Sequence, residues 1–269
     1  MEGSYSAIKK SDPFSPFLLI GKKLFGRDAW FNFSDILRIE QKFSANSTFF
    51  FLATNIPEMG IKNADYSLNH PKFRRVQEYI AGAGSEVGIH GSAGTSRDLN
   101  KLISEVNCFL KPVKGNRFHF LLYDPALSGQ LIDAAGLSYD TSLGFAEQPG
   151  FRNSFCFPFH PWDIKNDRPF QHIEIPLTLM DGTLQQYLNL QPAEANSLVE
   201  PLFEEVRKFG GCMTILWHNT HFSSYKYPGW KEVYIHLLQT AQKDNAGLFS
   251  CLRLLDHYSS GKTQTQSES

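Results

Sequence analysis

The pattern of apolar and polar positions along this chain alternates between two periods. In some segments apolar residues recur every three or four positions, which predicts helices with one buried face. In others they form short unbroken runs, which predicts strands buried on both faces. Helices are predicted at Trp30–Phe43, Pro71–Ala81, Thr95–Leu110, Pro125–Ala135, Glu194–Phe209 and Trp230–Gln242. Strands are predicted at Ser47–Thr54, Glu86–His90, Asn116–Leu122, Leu137–Tyr139, His172–Leu177 and Cys212–Trp217, while Leu248–His257 fits either type.

This alternation predicts an α/β fold. Repeated strand–helix units with polar residues after the strands are typical of (β/α) barrels and doubly wound sheets. Because about six or seven strands can be counted, we expect a distorted (β/α)7-type barrel. Residues 1–258 are expected to form a single domain and residues 259–269, rich in Ser, Thr and Gln, a disordered tail. The long loop Thr141–Trp162 has no period, which is typical of a functional segment in a compact domain.

Three histidines stand at the ends of predicted strands. His90 ends one strand and is followed by a run of small residues, and His119 and His218 have similar settings. In α/β enzymes the chemistry is found beyond the carboxyl ends of the strands. Imidazole is a ligand for divalent metals and an acid or base near neutral pH. The alternative for each is a structural histidine, hydrogen-bonded at a strand end.

Charged residues near these histidines are further candidates. By strand alternation Arg117 and His119 are predicted to share one face, which is uncommon in a dry core because an unpaired buried charge is costly. Asp140 follows a short strand and is predicted either to orient Arg117 or to pair with Arg152. Asp181 fits a turn cap or a functional acid. The residues interpreted as surface or packing histidines are His160, His221 and His236.

Composition excludes several classes of function. A net charge of −1 and a pI of about 6.8 provide no basic surface for nucleic acid or an anionic membrane. No apolar run reaches the ~20 residues that a spanning helix needs, and Met1–Lys10 has no apolar core of the kind found in signal peptides. The cysteines lack CxxC spacing, so we expect reduced thiols in a cytoplasmic protein. They are Cys108, Cys156, Cys212 and Cys251.

Several stretches together match a known order of motifs. They are Gly84–His90, Arg117–Phe120 and Ile215–His218, with Tyr139–Phe145, Gly150–Arg152 and Ile175–Thr183 in support. From roughly Ala29 to His257 the chain resembles the NodB-homology class of polysaccharide deacetylases, which is carbohydrate esterase family 4-like, and in particular a divergent bacterial branch. The first three stretches resemble the second, third and fifth motifs of that family. The resemblance implies a barrel that removes N-acetyl groups from a carbohydrate by metal-assisted amide hydrolysis.

The resemblance also implies roles for individual residues. His90 would be a ligand of a divalent metal such as Zn or Co, and His218 the general acid. Arg117 and Asp140 would orient the catalytic groups, and His119 is a candidate replacement for a lost metal ligand. Substrate-binding positions are predicted at Phe151, Arg152 and Trp217.

The chain departs from the family pattern at two places. The family's second motif has another metal-binding histidine four residues after the first, and Gly94 stands there. The family's first motif is an Asp-Asp pair, and no such pair precedes Phe49, where Asp12 and Asp28 are isolated. We therefore expect that the chain lacks the first strand of the barrel and is a fragment or a shortened reading frame.

Two alternatives to an active metal-dependent deacetylase follow. One is a catalytically silent relative that keeps an aromatic groove for carbohydrate, formed by Phe145, Phe151, Phe157, Phe159 and Trp162. The other is a metal-independent hydrolase that uses His119 or His218 as its base. A carbohydrate substrate is the expected partner, and the sequence leaves the oligomeric state undetermined.

Overall fold

The computed structural model describes residues 29–58 and 60–265, and as far as Asp140 helices and strands alternate as the sequence predicts. The helices are α1 Phe33–Lys42, α2 Pro71–Gly82, α3 Leu99–Val106, α4 Ser128–Ala134, α5 Pro192–Phe209, α6 Trp230–Lys243 and α7 Cys251–Thr265. The strands are β1 Thr48–Phe51, β2 Glu86–Gly91, β3 Gly115–Phe118, β4 Tyr139–Asp140, β5 Trp162–Asp163, β6 Arg168–Pro169, β7 Ile173–Glu174, β8 Leu177–Met180 and β9 Thr214–Leu216. Asp12 and Asp28 lie outside the described residues.

The main sheet brings the carboxyl ends of β1, β2, β3, β4 and β7 to one edge. Five strands pair in the order β1-β2-β3-β4-β7, and every pairing is parallel. The register places His90 beside Arg117 and Asp140 beside Glu174. β8 continues from β7 and pairs in parallel with β9 in a second sheet. The described residues thus form an α/β fold with a five-stranded parallel sheet, and closure into a barrel stays a prediction.

Helix starts show how local sequence fixes the elements. α2 begins at Pro71, whose ring suits the first helical position, and the His70 side chain caps it by accepting from the Lys72 amide at 3.2 Å. α3 is capped by Asp98, which accepts from the Lys101 amide at 3.0 Å. The prediction of a cap at Thr95 or Ser96 is therefore wrong. The helix begins at Leu99, and the Asp98 carboxylate directly before it is the cap.

β3 is shorter than its apolar pattern predicts. It ends at Phe118, and His119–Leu121 forms a 3₁₀ turn. The Phe118 amide bonds to the Ser142 hydroxyl at 2.8 Å instead of to a strand. The prediction that Arg117 and His119 share a strand face is wrong, since the pleat stops between them.

The predicted strand His172–Leu177 is two strands. Pro176 lies between β7 and β8 and has no N–H to donate to a ladder, so the pairing changes there. Ile175 still bonds to the Asp140 carbonyl at 2.9 Å, and Leu177 bonds to that of Leu143 at 3.0 Å.

The last helix covers the amino ends of the first strands. At its first turn the Cys251 amide bonds to Thr48 Oγ1 at 2.9 Å, and the Leu252 amide bonds to Glu86 Oε2 at 3.0 Å. α7 continues through residues 259–265, part of the segment for which the sequence predicts disorder. In residues 29–58 and 60–265 no helix has the length and apolar character to cross a membrane, and the four cysteines are free thiols, as expected.

Candidate active site

His90 lies at the end of β2 with its ring against the neighbouring strand. Its Nδ1 is 2.7 Å from the backbone oxygen of Arg117. Because a carbonyl oxygen can only accept, Nδ1 carries the proton and Nε2 keeps its lone pair. Burial, and then the neighbouring His119, lower the pKa of His90 well below its usual range. The ring is therefore neutral at pH 7, in the form that binds metals.

His119 lies beside His90, in the turn that directly follows β3. The centroids of the two rings are 5.1 Å apart and the rings are nearly perpendicular. Nδ1 of His119 lies 3.3 Å from the amide oxygen of Asn63, which also accepts from the Ala93 amide at 3.1 Å. Burial, and then the charge of His218, lower the pKa of His119 to about 4. His119 is thus a second neutral imidazole with its Nε2 lone pair available.

The turn that carries His119 has an unusual backbone. Phe120 and Leu121 have φ angles of 56° and 54°, the left-handed region, which costs roughly 1–2 kcal/mol for each residue with a side chain. The Phe120 side chain is 63% exposed, so burial does not offset this cost. Its ring lies 4.4 Å from that of His119. The strained turn therefore places an exposed aromatic ring beside one of the candidate histidines.

Asp181 directly follows β8 and holds two histidines from the region after β9. It is fully buried. Oδ1 accepts from the Gly182 amide at 2.6 Å and lies 2.6 Å from His218 Nδ1. Oδ2 accepts from the His218 amide at 2.6 Å and lies 2.9 Å from His221 Nδ1. Three hydrogen-bond donors therefore hold the carboxylate, and the His221 ring lies within ion-pair distance of it.

The charges in this group favour a protonated His218. Burial raises the pKa of the Asp181 carboxyl, but His218 and His221 outweigh it and hold the pKa well below its usual range. Burial likewise lowers the pKa of His218, and the Asp181 carboxylate outweighs it, so the net shift is upward. The His218 side chain is 51% exposed. A half-exposed imidazole with Nδ1 fixed on a carboxylate has the arrangement of a general acid.

Asp181, His218 and His221 are also a candidate metal group. Each offers one ligand atom, and these atoms lie within 4.8 Å of one another, so an aspartate and two histidines could hold a metal ion here. The sequence interpretation missed His221 and weighed Asp181 only as a turn cap or an acid. Two signals were present: Asp181 follows a strand directly, and His218 and His221 have the spacing of one 3₁₀ turn, which puts them on one side.

Arg117 is buried beneath the histidines. It is 6% exposed, and its side chain donates to the backbone oxygen and the hydroxyl of Thr141, both at 3.1 Å. The guanidinium also lies over the ring of Phe50, 4.7 Å from the centroid. Its backbone oxygen fixes His90, as described above. Arg117 is thus rigidly placed beside the site.

Asp140 and Glu174 form a buried carboxyl pair next to Arg117. Asp140 accepts from the Asn116 side-chain amide at 2.6 Å and from the Ser142 backbone amide at 2.8 Å. Burial raises the pKa of Asp140, and burial and then Asp140 raise the pKa of Glu174 well above its usual range. The role of Asp140 in orienting Arg117 stays a prediction.

The predicted substrate-binding residues lie in three different settings. Arg152 is exposed, donates to the Gly144 carbonyl at 3.0 Å and lies 6.0 Å from the Phe145 ring. Phe151 is half-buried. Trp217 packs against Trp230 and Tyr234 of α6, at ring-centroid distances of 6.2 and 5.6 Å. Contact of these three with a substrate stays a prediction.

Gly94 has a backbone that suits glycine. Its φ is 92°, and a Cβ built there would overlap the carboxylate of Glu58. Glu58 is held in place by an ion pair with Lys101. A histidine at position 94 would therefore require both the loop and Glu58 to move.

Comparisons with known proteins agree with this fold. No family profile matches the sequence, and no curated protein matches it. Among solved structures, the chain is similar to a protein from Mycobacterium smegmatis whose assignment as a polysaccharide deacetylase is itself provisional. The identity is 18%, the match covers 93% of this chain and 87% of that one, and the TM-score is 0.61. A GH57 branching enzyme from Thermococcus kodakaraensis matches at 16% identity over 70% of this chain and 49% of that one, with a TM-score of 0.43. The first likeness shows a fold like that of a deacetylase structure.

Proposed function

We propose that this chain is a polysaccharide deacetylase-type hydrolase that removes N-acetyl groups from a carbohydrate. The observation that carries the proposal is the setting of His218. Its Nδ1 lies 2.6 Å from buried Asp181, and its ring is half exposed. The charge of His218 contributes to lowering the pKa of both His90 and His119. The fold shared with the M. smegmatis protein supports the same class of function.

The proposed reaction is the hydrolysis of an amide. The oxygen of water bonds to the acetyl carbon as the water loses a proton to solvent, the carbon–nitrogen bond breaks, and the leaving nitrogen must gain a proton. His218 is placed to donate that proton from Nε2, because Asp181 holds the proton on Nδ1. The products are acetate and the free amino sugar, and His218 is left neutral.

We propose His90 and His119 as ligands of a divalent metal such as Zn or Co. Both rings fit, since each has Nδ1 against an oxygen acceptor and a neutral Nε2. A divalent ion polarises an amide carbonyl and lowers the pKa of bound water. Two imidazoles supply two of the three or four protein ligands that zinc uses. In the same proposal Arg117 and Asp140 orient the catalytic groups, and Phe151, Arg152 and Trp217 bind the sugar.

One observation favours a second candidate, the catalytically silent carbohydrate-binding relative. The family position for a second metal histidine is Gly94, where the left-handed backbone disfavours any side chain and a Cβ would displace the Glu58 carboxylate. Such a chain would bind a glycan without hydrolysing it.

Acetate release from chitopentaose, with and without added Zn or Co, tests the proposal. We expect the wild-type chain to release acetate and His218→Ala to lower the rate by about 10²- to 10⁴-fold. His257→Ala, at an exposed histidine of α7, is the matched control and should retain the wild-type rate. His90→Ala and His119→Ala should each reduce the zinc bound per chain.

Two results would decide against this assignment. An unchanged rate in His218→Ala would exclude His218 as the general acid. Saturable binding of chitopentaose with no acetate release from the wild-type chain would favour the silent relative.

A further inference from the structure

His221 is a buried histidine that the proposed reaction does not use. It lies in the 3₁₀ turn Asn219–Phe222 and is 2% exposed. Within the part of the chain that the structure describes, neither of its ring nitrogens has a hydrogen-bond partner. Buried polar atoms without a partner are destabilising and rare in folded proteins, so each one needs an explanation. A ligand that bonds to a ring nitrogen would supply one.

Aromatic packing holds the His221 ring in place. The ring stacks on Tyr227 with centroids 4.1 Å apart and planes 7° apart. Trp230 packs edge-on against it, at a centroid distance of 5.8 Å. Packing of this kind restricts the side-chain torsions. The positions of the two nitrogens are therefore set by the core of the protein.

One of these nitrogens lies beside a carboxylate without being hydrogen-bonded to it. His221 Nδ1 is 2.9 Å from Asp181 Oδ2, a distance that would suit a hydrogen bond, so the direction of approach is what fails. Two atoms that each bond to one metal ion at about 2.1 Å, with an angle of about 90° between the bonds, lie roughly 3.0 Å apart. Such an ion lies off the line that joins its two ligands. The spacing of Nδ1 and Oδ2 thus fits shared metal ligation better than direct donation.

His218 supplies the third ligand atom. Its Nδ1 lies 2.6 Å from Asp181 Oδ1, and the ligand atoms of Asp181, His218 and His221 all lie within 4.8 Å of one another. Ligation would lengthen the 2.6 Å hydrogen bond by roughly 0.4–1 Å. The His218 side chain is 51% exposed, so it can move this far without repacking the core. Two imidazoles and a carboxylate are ligands for divalent first-row transition metals.

We propose that Asp181, His218 and His221 bind a divalent first-row transition metal ion, and that this ion inhibits the chain. Ligation breaks the N–H bond at His218 Nδ1, releases that proton to solvent and leaves the nitrogen electron pair to bond to the metal. The remaining ring proton is on Nε2, and its loss would produce an imidazolate, so His218 is no longer an effective acid. The inhibition rests on the proposed function, in which His218 is the general acid, whereas the metal binding does not.

The new site shares no residue with the metal site proposed at His90 and His119, so each can be tested alone. His90→Ala combined with His119→Ala removes the first site. We expect this double variant still to bind one zinc ion per chain, measured by equilibrium dialysis against zinc chloride followed by metal analysis.

Adding His221→Phe to the double variant tests the new site directly. Phenylalanine keeps an aromatic ring on Tyr227 but has no nitrogen. We expect the Kd for zinc to rise by at least about 10- to 100-fold, the range seen when only a residue that supports a ligand is lost. His257→Phe, at an exposed histidine of α7, is the matched control and should leave the Kd unchanged. Far-ultraviolet circular dichroism checks that each variant is folded.

A second readout uses the wild-type chain and needs no variant. Side-chain ¹⁵N shifts report whether a ring nitrogen is bonded to a metal. As zinc is added, we expect the shifts of His218 and His221 to change together, at the same zinc concentration. The shifts of exposed His257 should stay constant.

The inhibition is measured as acetate release from chitopentaose at increasing zinc. Each chain is compared with its own rate at one zinc ion per chain. We expect the wild-type rate to fall by about 10²-fold or more as the new site fills. In His221→Phe the same fall should require a correspondingly higher zinc concentration.

The outcomes separate this proposal from the proposed function. A double variant that binds no zinc, or one whose Kd is the same with and without His221→Phe, would overturn the metal site. Filling of the site in the wild-type chain with no fall in acetate release would overturn its inhibitory role. If the wild-type chain released no acetate at any zinc concentration, the proposed function and the inhibition would fail together, and the dialysis and the ¹⁵N shifts would still decide the metal site.

Discussion

The turns after β3 and β9 begin with the same backbone conformation, but the histidines that they carry favour opposite protonation states. Phe118 and His218, the residues before each 3₁₀ turn, have φ, ψ angles of −70°, 139° and −74°, 139°. After β3 the histidine is the next residue, His119, and no carboxylate is among the causes that shift its pKa. After β9 the histidine precedes the turn and lies on Asp181. The same backbone start therefore produces a neutral imidazole in one place and a favoured imidazolium in the other.

The difference teaches that a neighbouring carboxylate, and not burial alone, decides the charge of these rings. Burial opposes the charged form of both His119 and His218. Of these two histidines, only His218 has a carboxylate within hydrogen-bond distance among its described partners. The pKa of His218 is raised, whereas that of His119 is lowered. A site built from both turns would have metal-binding and proton-donating imidazoles side by side.

Asp181→Asn is expected to have the largest effect, because it removes the carboxylate that distinguishes His218 from His119. Asparagine cannot hold the proton of His218 Nδ1 as a carboxylate does, so the rate of acetate release should fall by about 10²- to 10⁴-fold. The exposed Asp256→Asn is the control. Far-ultraviolet circular dichroism and thermal unfolding check that the chain remains folded. A rate within twofold of wild type, roughly 0.4 kcal/mol, would show that His218 does not need the carboxylate.

Glu40 shows what burial does to a carboxyl group that has no charged partner among its described contacts. Its described hydrogen-bond partners are the hydroxyls of Ser47 and Tyr234. Burial, only partly offset by Ser47 and Tyr234, raises its pKa from 4.5 to about 7. A raised carboxyl pKa favours folding below pH 4.5, and this contribution is lost as the pH rises through 7. At about 1.4 kcal/mol per pKa unit, the change is about 3 kcal/mol.

Glu40→Gln should remove this pH dependence. The variant should be more stable than wild type at pH 8 and nearly equal to it at pH 4.5, as measured by urea unfolding at each pH. The exposed Glu78→Gln is the matched control. Equal stability of wild type and Glu40→Gln at pH 8 would contradict the raised pKa.

Asn63→Ala tests the turn after β3, because Asn63 is the hydrogen-bond partner of His119. The Asn63 oxygen faces His119 Nδ1 at 3.3 Å, and loss of such a partner typically weakens metal binding by about 10- to 100-fold. A competition titration with a zinc indicator measures the Kd, and the exposed Asn107→Ala is the control. An unchanged Kd would mean that His119 does not need Asn63, or that the metal binds elsewhere.

Phe120→Asn should have the smallest effect and the opposite sign. Asparagine tolerates the left-handed region better than phenylalanine, and the exposed ring loses little burial. We expect the free energy of unfolding to rise by about 1 kcal/mol. Phe155→Asn, at another exposed phenylalanine, should not stabilise the chain. A destabilised Phe120→Asn would show that the ring on His119 outweighs the backbone strain.

The sequence predicts the features of the site that depend on local pattern. His90 lies near the end of one short apolar strand and His218 lies two residues after another, so their positions relative to strand ends could be argued from the apolar pattern alone. The helices α2, α5 and α6 were predictable for a similar reason, because apolar period and flanking Pro or Gly residues agree.

Features that arise from contacts between distant segments could not be predicted. Asp181 and His218 are 37 residues apart and meet only because β8 pairs with β9. The end of β3 was also hidden, since nothing in the residue types of Phe120 and Leu121 indicates a left-handed backbone. The sequence therefore indicated which histidines stand near strand ends but not which one has an acidic partner.

The contact between α7 and the first two strands has a consequence for synthesis of the chain. Thr48 and Glu86 leave the ribosome before the amides of Cys251 and Leu252 that bond to them, which follow 203 and 166 residues later. Until those amides arrive, the amino-terminal ends of β1 and β2 lack their helical cover. The order of translation thus delays the covering of these two strand ends until α7 is made.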